Sequence, residues 1–289
     1  MEVTSEEGHN NLAVTGLCAS AFAQFSDNFE SETGSSAGTV ITGQNGWYLP
    51  AGTDAFVFTY SGNTLGFPQN PSGNRQFLGN VTGSGSNPSR AQHDVTFSGG
   101  MWTVGFDFCA GYNGALPAAD NLGSFSLQTS STNYFQTIYQ WGNNTGTATM
   151  FNANIGHFGS TGGSGGSGIS FDSPGAAWQN LPVDHWFHQT VTWSFDTGLI
   201  TDTTLQDLTA NGVLNDFQPT GWYLQGGANN VNNLPLPSAV RFFAGGGQGN
   251  LMGYDNLAIH GVPEPASFAA LGLGVFMLIR RRRGWSHSS

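Results

Sequence analysis

WFHQTVTWSF, Trp186 to Phe195, alternates two kinds of side chain along ten residues. Phe187, Gln189, Val191, Trp193 and Phe195 fall on one side, His188, Thr190, Thr192 and Ser194 on the other. Side chains of a β-strand point alternately to its two faces, so the stretch predicts a strand with one face buried. Asp196-Thr197-Gly198 then supplies a turn, and Leu199 begins a return strand. The same period recurs upstream, where Trp102, Val104, Phe106 and Phe108 alternate with Thr103, Gly105 and Asp107, and where Phe125 and Leu127 sit beside Ser124 and Ser126. Asn211-Gly212 is a strong short-range hairpin signal, and later strands are expected at 239–244 and 251–260. Many short strands separated by Gly, Asn and Ser turns predict an all-β chain, a β-sandwich of jelly-roll type. The glycine-rich stretch 156–168 reads as a surface loop, since similar strand patterns lie on both sides of it.

Composition agrees with that class. The chain has 289 residues with 43 Gly and 22 Phe, enough aromatic and aliphatic mass for a large core. Charge is sparse and lopsided: there is no lysine, and Arg75, Arg90 and Arg241 are the only cations before Arg280. The acidic excess argues against nucleic acid and anionic membrane surfaces as partners and suits cations or neutral polymers. Cys18 and Cys109 are the only cysteines, and Cys18 falls in a segment expected to be removed, so no intrachain disulfide is expected.

The two ends read differently from the middle. Ala266 to Ile279 is apolar or small except for Ser267, and Arg280, Arg281, Arg282 and Arg283 follow at once. Fourteen helical residues span roughly 21 Å, short of the ~30 Å hydrocarbon core, yet arginines at the cytoplasmic flank snorkel and lengthen the effective span. A short C-terminal membrane helix is therefore expected. Leu12 to Ala23 has the look of an h-region, and Ala21-Phe22-Ala23 satisfies the A-x-A cleavage rule. The residues before it carry three glutamates and no base, the reverse of a usual signal peptide. Either the signal is atypical or the translation start lies elsewhere. The resulting division is 1–23 signal peptide, 24–261 β-sandwich domain and 262–289 sorting tail.

Val262, Pro263, Glu264 and Pro265, the apolar run and the arginine block together resemble the PEP-CTERM sorting signal of Gram-negative bacteria. The resemblance implies export, a transient inner-membrane intermediate, and processing near Pro-Glu-Pro by an exosortase. It also implies association with exopolysaccharide and biofilm at the cell surface or in the extracellular matrix. Six residues after the arginines, and Ala266 where Ser or Thr is common, depart from the pattern. The middle resembles concanavalin A-like and laminin G-like jelly rolls and related carbohydrate-binding modules, through FSDNFES at 25–31, WFHQTVTWSFDTG at 186–198 and GYDNLAIHG at 253–261.

In such sandwiches the first and last strands lie side by side, and calcium often sits at that edge. The resemblance thus suggests Asp27, Glu30 and Asp255 as calcium ligands, with an oxygen from Asn28 or Asn256; the same residues also suit strand ends and turns. Trp47, Tyr48, Trp141, Trp178, Trp222 and Tyr223 lie near turn-rich sequence and are candidates to stack on a sugar ring, although core packing is the commoner fate of tryptophan. Gly34 to Gly38 and Gly162 to Gly166 match G-x-S-x-G but lack the strand and helix of a nucleophile elbow. His185 and His188 would project to opposite faces of a strand, a poor geometry for joint metal binding. Glu30 and Glu32 are the only glutamates of the central domain, and Asp107, Asp172, Asp184 and Asp196 stand alone along the chain. The expectation is a non-catalytic module. The alternative is a secreted carbohydrate-active hydrolase whose carboxylates meet only in space, about 5 to 10 Å apart at the floor of a cleft.

Overall fold

Hydrophobic alternation becomes layering in the computed structural model, which describes residues 23–80, 89–112, 120–130, 134–143, 149–163, 167–230, 235–244 and 249–262. Among these residues two sheets form. The larger contains β1 (Ala23–Asp27), β2 (Thr39–Val40), β4 (Phe56–Thr59), β5 (Gln76–Gly79), β7 (Met101–Tyr112), β13 (Trp186–Ser194), β14 (Ile200–Asp207), β15 (Asn215–Phe217) and β17 (Asn250–Val262). The smaller contains β3 (Thr53–Asp54), β6 (Ser89–Asp94), β8 (Asp120–Gln128), β9 (Tyr134–Asn143), β10 (Met150–His157), β11 (Ser170–Asp172) and β16 (Ala239–Ala244), with β12 (Leu181–Pro182) paired to β10. Strand order is β15-β14-β13-β7-β17-β5-β4-β2 in one and β11-β10-β9-β8-β16-β6-β3 in the other. All pairs are antiparallel except β3 with β6. The result is the expected jelly-roll sandwich, and β1 pairs with β17, bringing the two ends of the domain side by side.

The inner faces meet in an aromatic core. Phe106 of β7 contacts Phe125, Tyr139, Trp141 and Phe242 of the opposite sheet at ring centroid distances of 5.1 to 5.8 Å. Three of these four pairs are edge-to-face, the arrangement the ring quadrupoles favour. Each such side chain contributes about 1.5 to 3 kcal/mol by leaving water.

The outer face of the larger sheet departs from the simple buried-and-exposed alternation. Cys109 and Trp186 project to that face yet are fully buried, within a second cluster with Phe58, Leu65, Phe67, Phe77 and Leu251. The segment from Tyr60 to Arg75 supplies the cover, so β7 and β17 are walled on both sides along part of their length. Cys109 is free; burial first, and the nearby Asp184 second, push its thiol well above the usual range.

Asn211-Gly212 lies in a hairpin, but not a two-residue one. Strands β14 and β15 are joined by residues 208–214, and only Asn211 there has a positive φ, 49°. The turn is drawn out because Leu208 N–H and Thr209 N–H donate to the carbonyl of Trp186 instead of closing a ladder. The expected membrane helix, the arginine block, most of the signal segment and Ser164 lie outside the described residues.

Candidate functional site on the outer face of the larger sheet

Register brings together three residues far apart in sequence. His188 on β13 stands opposite Asp107 on β7, and Asp107 stands opposite Asp255 on β17. All three project to the outer face. Immediately after Asp255 the ladder slips: a bulge separates it from Ala258, and Asn256 takes a left-handed backbone with φ 50°. Asparagine tolerates that conformation better than most residues. The bulge turns consecutive side chains toward the same neighbour, so Asn256 Nδ2 donates to Asp107 Oδ2 at 2.7 Å.

The covering segment completes the cluster. Asn70-Pro71-Ser72-Gly73 forms a turn: Gly73 N–H donates to the Asn70 carbonyl, and Ser72 N–H to Asn70 Oδ1. Proline and glycine suit their places in it, Gly73 with φ 88°. Asn70 Nδ2 lies 2.8 Å from Asp107 Oδ2 and 3.3 Å from Asp255 Oδ2, so those oxygens cannot be farther apart than the two bonds laid end to end. Asn74 Nδ2 donates to Asp255 Oδ1 at 2.9 Å, and the Tyr60 hydroxyl to Asp255 Oδ2 at 3.0 Å. His188 Nδ1 lies 2.6 Å from Asp107 Oδ1.

Electrostatics follow from that enclosure. Asp255 is 0 % and Asp107 3 % exposed. Burial is the largest influence on Asp255 and pushes its carboxyl up to about 7; Asp107 adds to the rise, while the bonds from Asn74, Tyr60 and the Asn256 N–H oppose it. Burial, followed by Asp255, pushes the Tyr60 hydroxyl far above its ordinary value. Asp107 therefore does not stand alone. The pair nevertheless lies beneath the covering segment, with its oxygens already occupied by protein donors, so the arrangement fastens that segment to the sheet.

The suggested calcium ligands serve similar ends. Asp27 accepts from Phe29 N–H, Thr33 Oγ1, Asn45 Nδ2 and Trp47 Nε1. Glu30 Oε1 accepts from the backbone N–H groups of Arg75 and Gln76. The three carboxylates do not form one cage, and among the described residues no group of three His, Cys, Asp or Glu side chains is suited to hold a metal ion.

The aromatic candidates divide. Trp47, Trp141 and Trp178 are buried core residues rather than ligand platforms. Trp47 is drawn inward by its bond to Asp27, Trp141 lies on an inner face against Phe106 and Phe108, and Trp178 packs beside Phe217. Tyr48, Trp222 and Tyr223 are half-buried. Tyr48 bonds Asp94 and Gln92; Trp222 stacks on His157 at 4.2 Å; and the Tyr223 backbone pairs with Phe158. His185 and His188 reach separate carboxylates, Asp207 and Asp107. Asp172 bonds His157. Gly34 to Gly38 follows a short 3-10 turn and precedes β2, the reverse of the order an elbow requires.

Beside the covered cluster the outer face is open and hydroxylated. Thr103, Thr190, Thr192, Thr204 and Gln206 are half-buried there. Two cross-strand hydroxyl pairs run along it, Thr190 with Thr204 at 2.6 Å and Thr103 with Thr192 at 2.8 Å. At its margin Asp202 is pushed up to about 6, by burial first and then by Asp216.

Comparison with known proteins bears chiefly on the tail. Residues 261–283 are a PEP-CTERM protein-sorting motif. The motif implies export, a membrane-anchored intermediate and exosortase processing. No curated protein matches the chain in sequence. Among solved structures, the cellulose-induced protein Cip1 is 13% identical, with 81% of this chain and 96% of that one covered and a TM-score of 0.42. A carbohydrate esterase from the Shiga toxin-encoding bacteriophage phi24B is 12% identical over 76% and 91%, TM-score 0.40. Alginate lyase Aly36B is 16% identical over 80% and 88%, TM-score 0.39.

Proposed function

We propose that the PEP-CTERM tail delivers a non-catalytic jelly-roll module to the cell surface or extracellular matrix of a Gram-negative bacterium, where it associates with exopolysaccharide. The observation that carries this reading is the open half of the larger sheet's outer face, where rows of threonine hydroxyls lie beside Gln206 and His188. Such a surface offers donors and acceptors to a polyhydroxylated chain. The domain's acidic balance favours a neutral polymer over an acidic one. The facing carboxylates support the same reading, because groups held by amide donors under a cover are not available for acid and base work on a polymer.

A second reading, a carbohydrate-active hydrolase, is favoured by one observation: His188 is aligned by a buried carboxylate, as a general base is. One experiment separates the two. The protein is incubated with dextran, laminarin, hydroxyethylcellulose and polysaccharide shed by the producing cells, and both retention and new reducing ends are measured. Retention without new reducing ends is expected. Time-dependent release of reducing ends, lost in His188→Ala, would establish the hydrolase instead, and neither retention nor release would refute both.

A further inference from the structure

His188 is held at one ring nitrogen and open at the other. Its Nδ1 faces Asp107 Oδ1, while the other Asp107 oxygen is engaged by Asn70 and Asn256, so the carboxylate cannot turn away. When Asp107 is a carboxylate it only accepts, which puts the hydrogen on Nδ1, and when the ring is neutral Nε2 then presents a lone pair. Among the described residues Nε2 has no hydrogen-bond partner, and the side chain is 35 % exposed. The ring lies over Gly105, at ordinary contact distance. A Cβ at that position would stand 3.5 Å from Nε2 and 3.6 Å from Cε1, and 3.1 Å from Thr190 Cγ2. The Thr190 methyl thus lies on the same side of β13 as the ring, the Thr190–Thr204 hydroxyl pair lies toward β14, and His188 is in register with Gln206, whose amide is anchored to the Gly212 carbonyl.

We infer that Nε2 of His188 accepts a hydroxyl of a neutral saccharide chain lying across this face, which makes His188 the residue that sets the ligand's position. The inference rests on the polysaccharide reading above and assigns its central contact. Threonine hydroxyls provide further hydrogen-bonding groups beside it, and Gln206 stands in line on β14. Neutral, hydroxyl-rich polymers are the class selected, because an acceptor nitrogen beside acidic groups disfavours carboxylated or sulfated chains.

The test uses the full chain and the same four polysaccharides. Long-range proton–nitrogen NMR, with the ring assigned through His188→Gln, reads the tautomer and the response of the ring to the retained polymer. The expected results are hydrogen on Nδ1, a shifted Cε1–H signal on adding polymer, and roughly tenfold weaker retention for His188→Ala. Thr190→Val, which leaves the Asp107 contact intact, should also weaken retention, and it keeps the test decisive if His188→Ala does not fold. Retention by the wild type with an unmoved His188 signal and undiminished His188→Ala retention overturns this inference and leaves the polysaccharide reading standing. Hydrogen on Nε2 overturns the inference alone as well. No retention of any of the four polymers by the wild type overturns both.

Discussion

Replacing Asp255 by asparagine removes one titrating group while nearly preserving its shape. In the folded protein this carboxyl is pushed up to about 7, against about 3.9 for an exposed aspartate. Between those values the native state holds a proton that the unfolded chain has released. Stability therefore falls as pH rises, by about 1.4 kcal/mol per unit, and the loss accumulates to about 4 kcal/mol before levelling off above about pH 7. D255N has no such slope. Its amide oxygen can still accept from Asn74 and the Asn256 N–H, and the Tyr60 hydroxyl can rotate to accept from its NH2 group, but the Asn70 contact is lost. That loss costs about 1 kcal/mol at all pH values. D255N is accordingly less stable than the wild type near pH 4 and more stable near pH 8, with the two curves crossing between. Urea unfolding followed by tryptophan fluorescence from about pH 4 to 9 gives both profiles, and their difference cancels the other carboxyls, Asp202 among them. A difference that stays flat across this window would refute the claim that burial outweighs the surrounding donors at Asp255.

Asp27→Ala strands four donors, including Trp47 Nε1, and should cost about 3 kcal/mol or more, read as a lower urea midpoint with an unchanged slope. Because protein donors already occupy Asp27, Glu30 and Asp255, adding calcium or a chelator should leave the melting temperature unmoved; a calcium-dependent rise would show a cation binding there. Trp141→Ala removes a fully buried indole and should cost about 3 to 5 kcal/mol, whereas Trp222→Ala, at a half-buried position, should cost markedly less in the same assay. Cys109 is buried with its thiol pushed up, so iodoacetamide should modify it only at the rate of unfolding, which mass spectrometry at increasing urea can follow.

Much of the sandwich is legible in local pattern. The period of two in 102–108 and 186–195 marks β7 and β13, the run 239–244 is β16 without adjustment, and 251–260 lies inside β17. Exposure is less legible in local pattern. Trp47, Trp141 and Trp178 sit beside turn residues, but burial follows from which sheet face a side chain joins and what crosses it. Likewise, His188 and Asp107 each occupy the apparently polar face of an alternating strand, and nothing near either residue announces that Tyr60 to Arg75 folds over part of that face.

Fold class and export are written in the amino-acid sequence alone, since strand periodicity and the Pro-Glu-Pro, apolar and arginine elements are short-range signals carried within a few residues. The candidate site exists only once the chain is folded. Asp107 meets His188 across 81 positions and Asn256 across 149, through strand pairings and a bulge that set which residues stand opposite one another. Register depends on the whole ladder and on the packing of both sheet faces, so the chemistry of any single strand leaves its partners open.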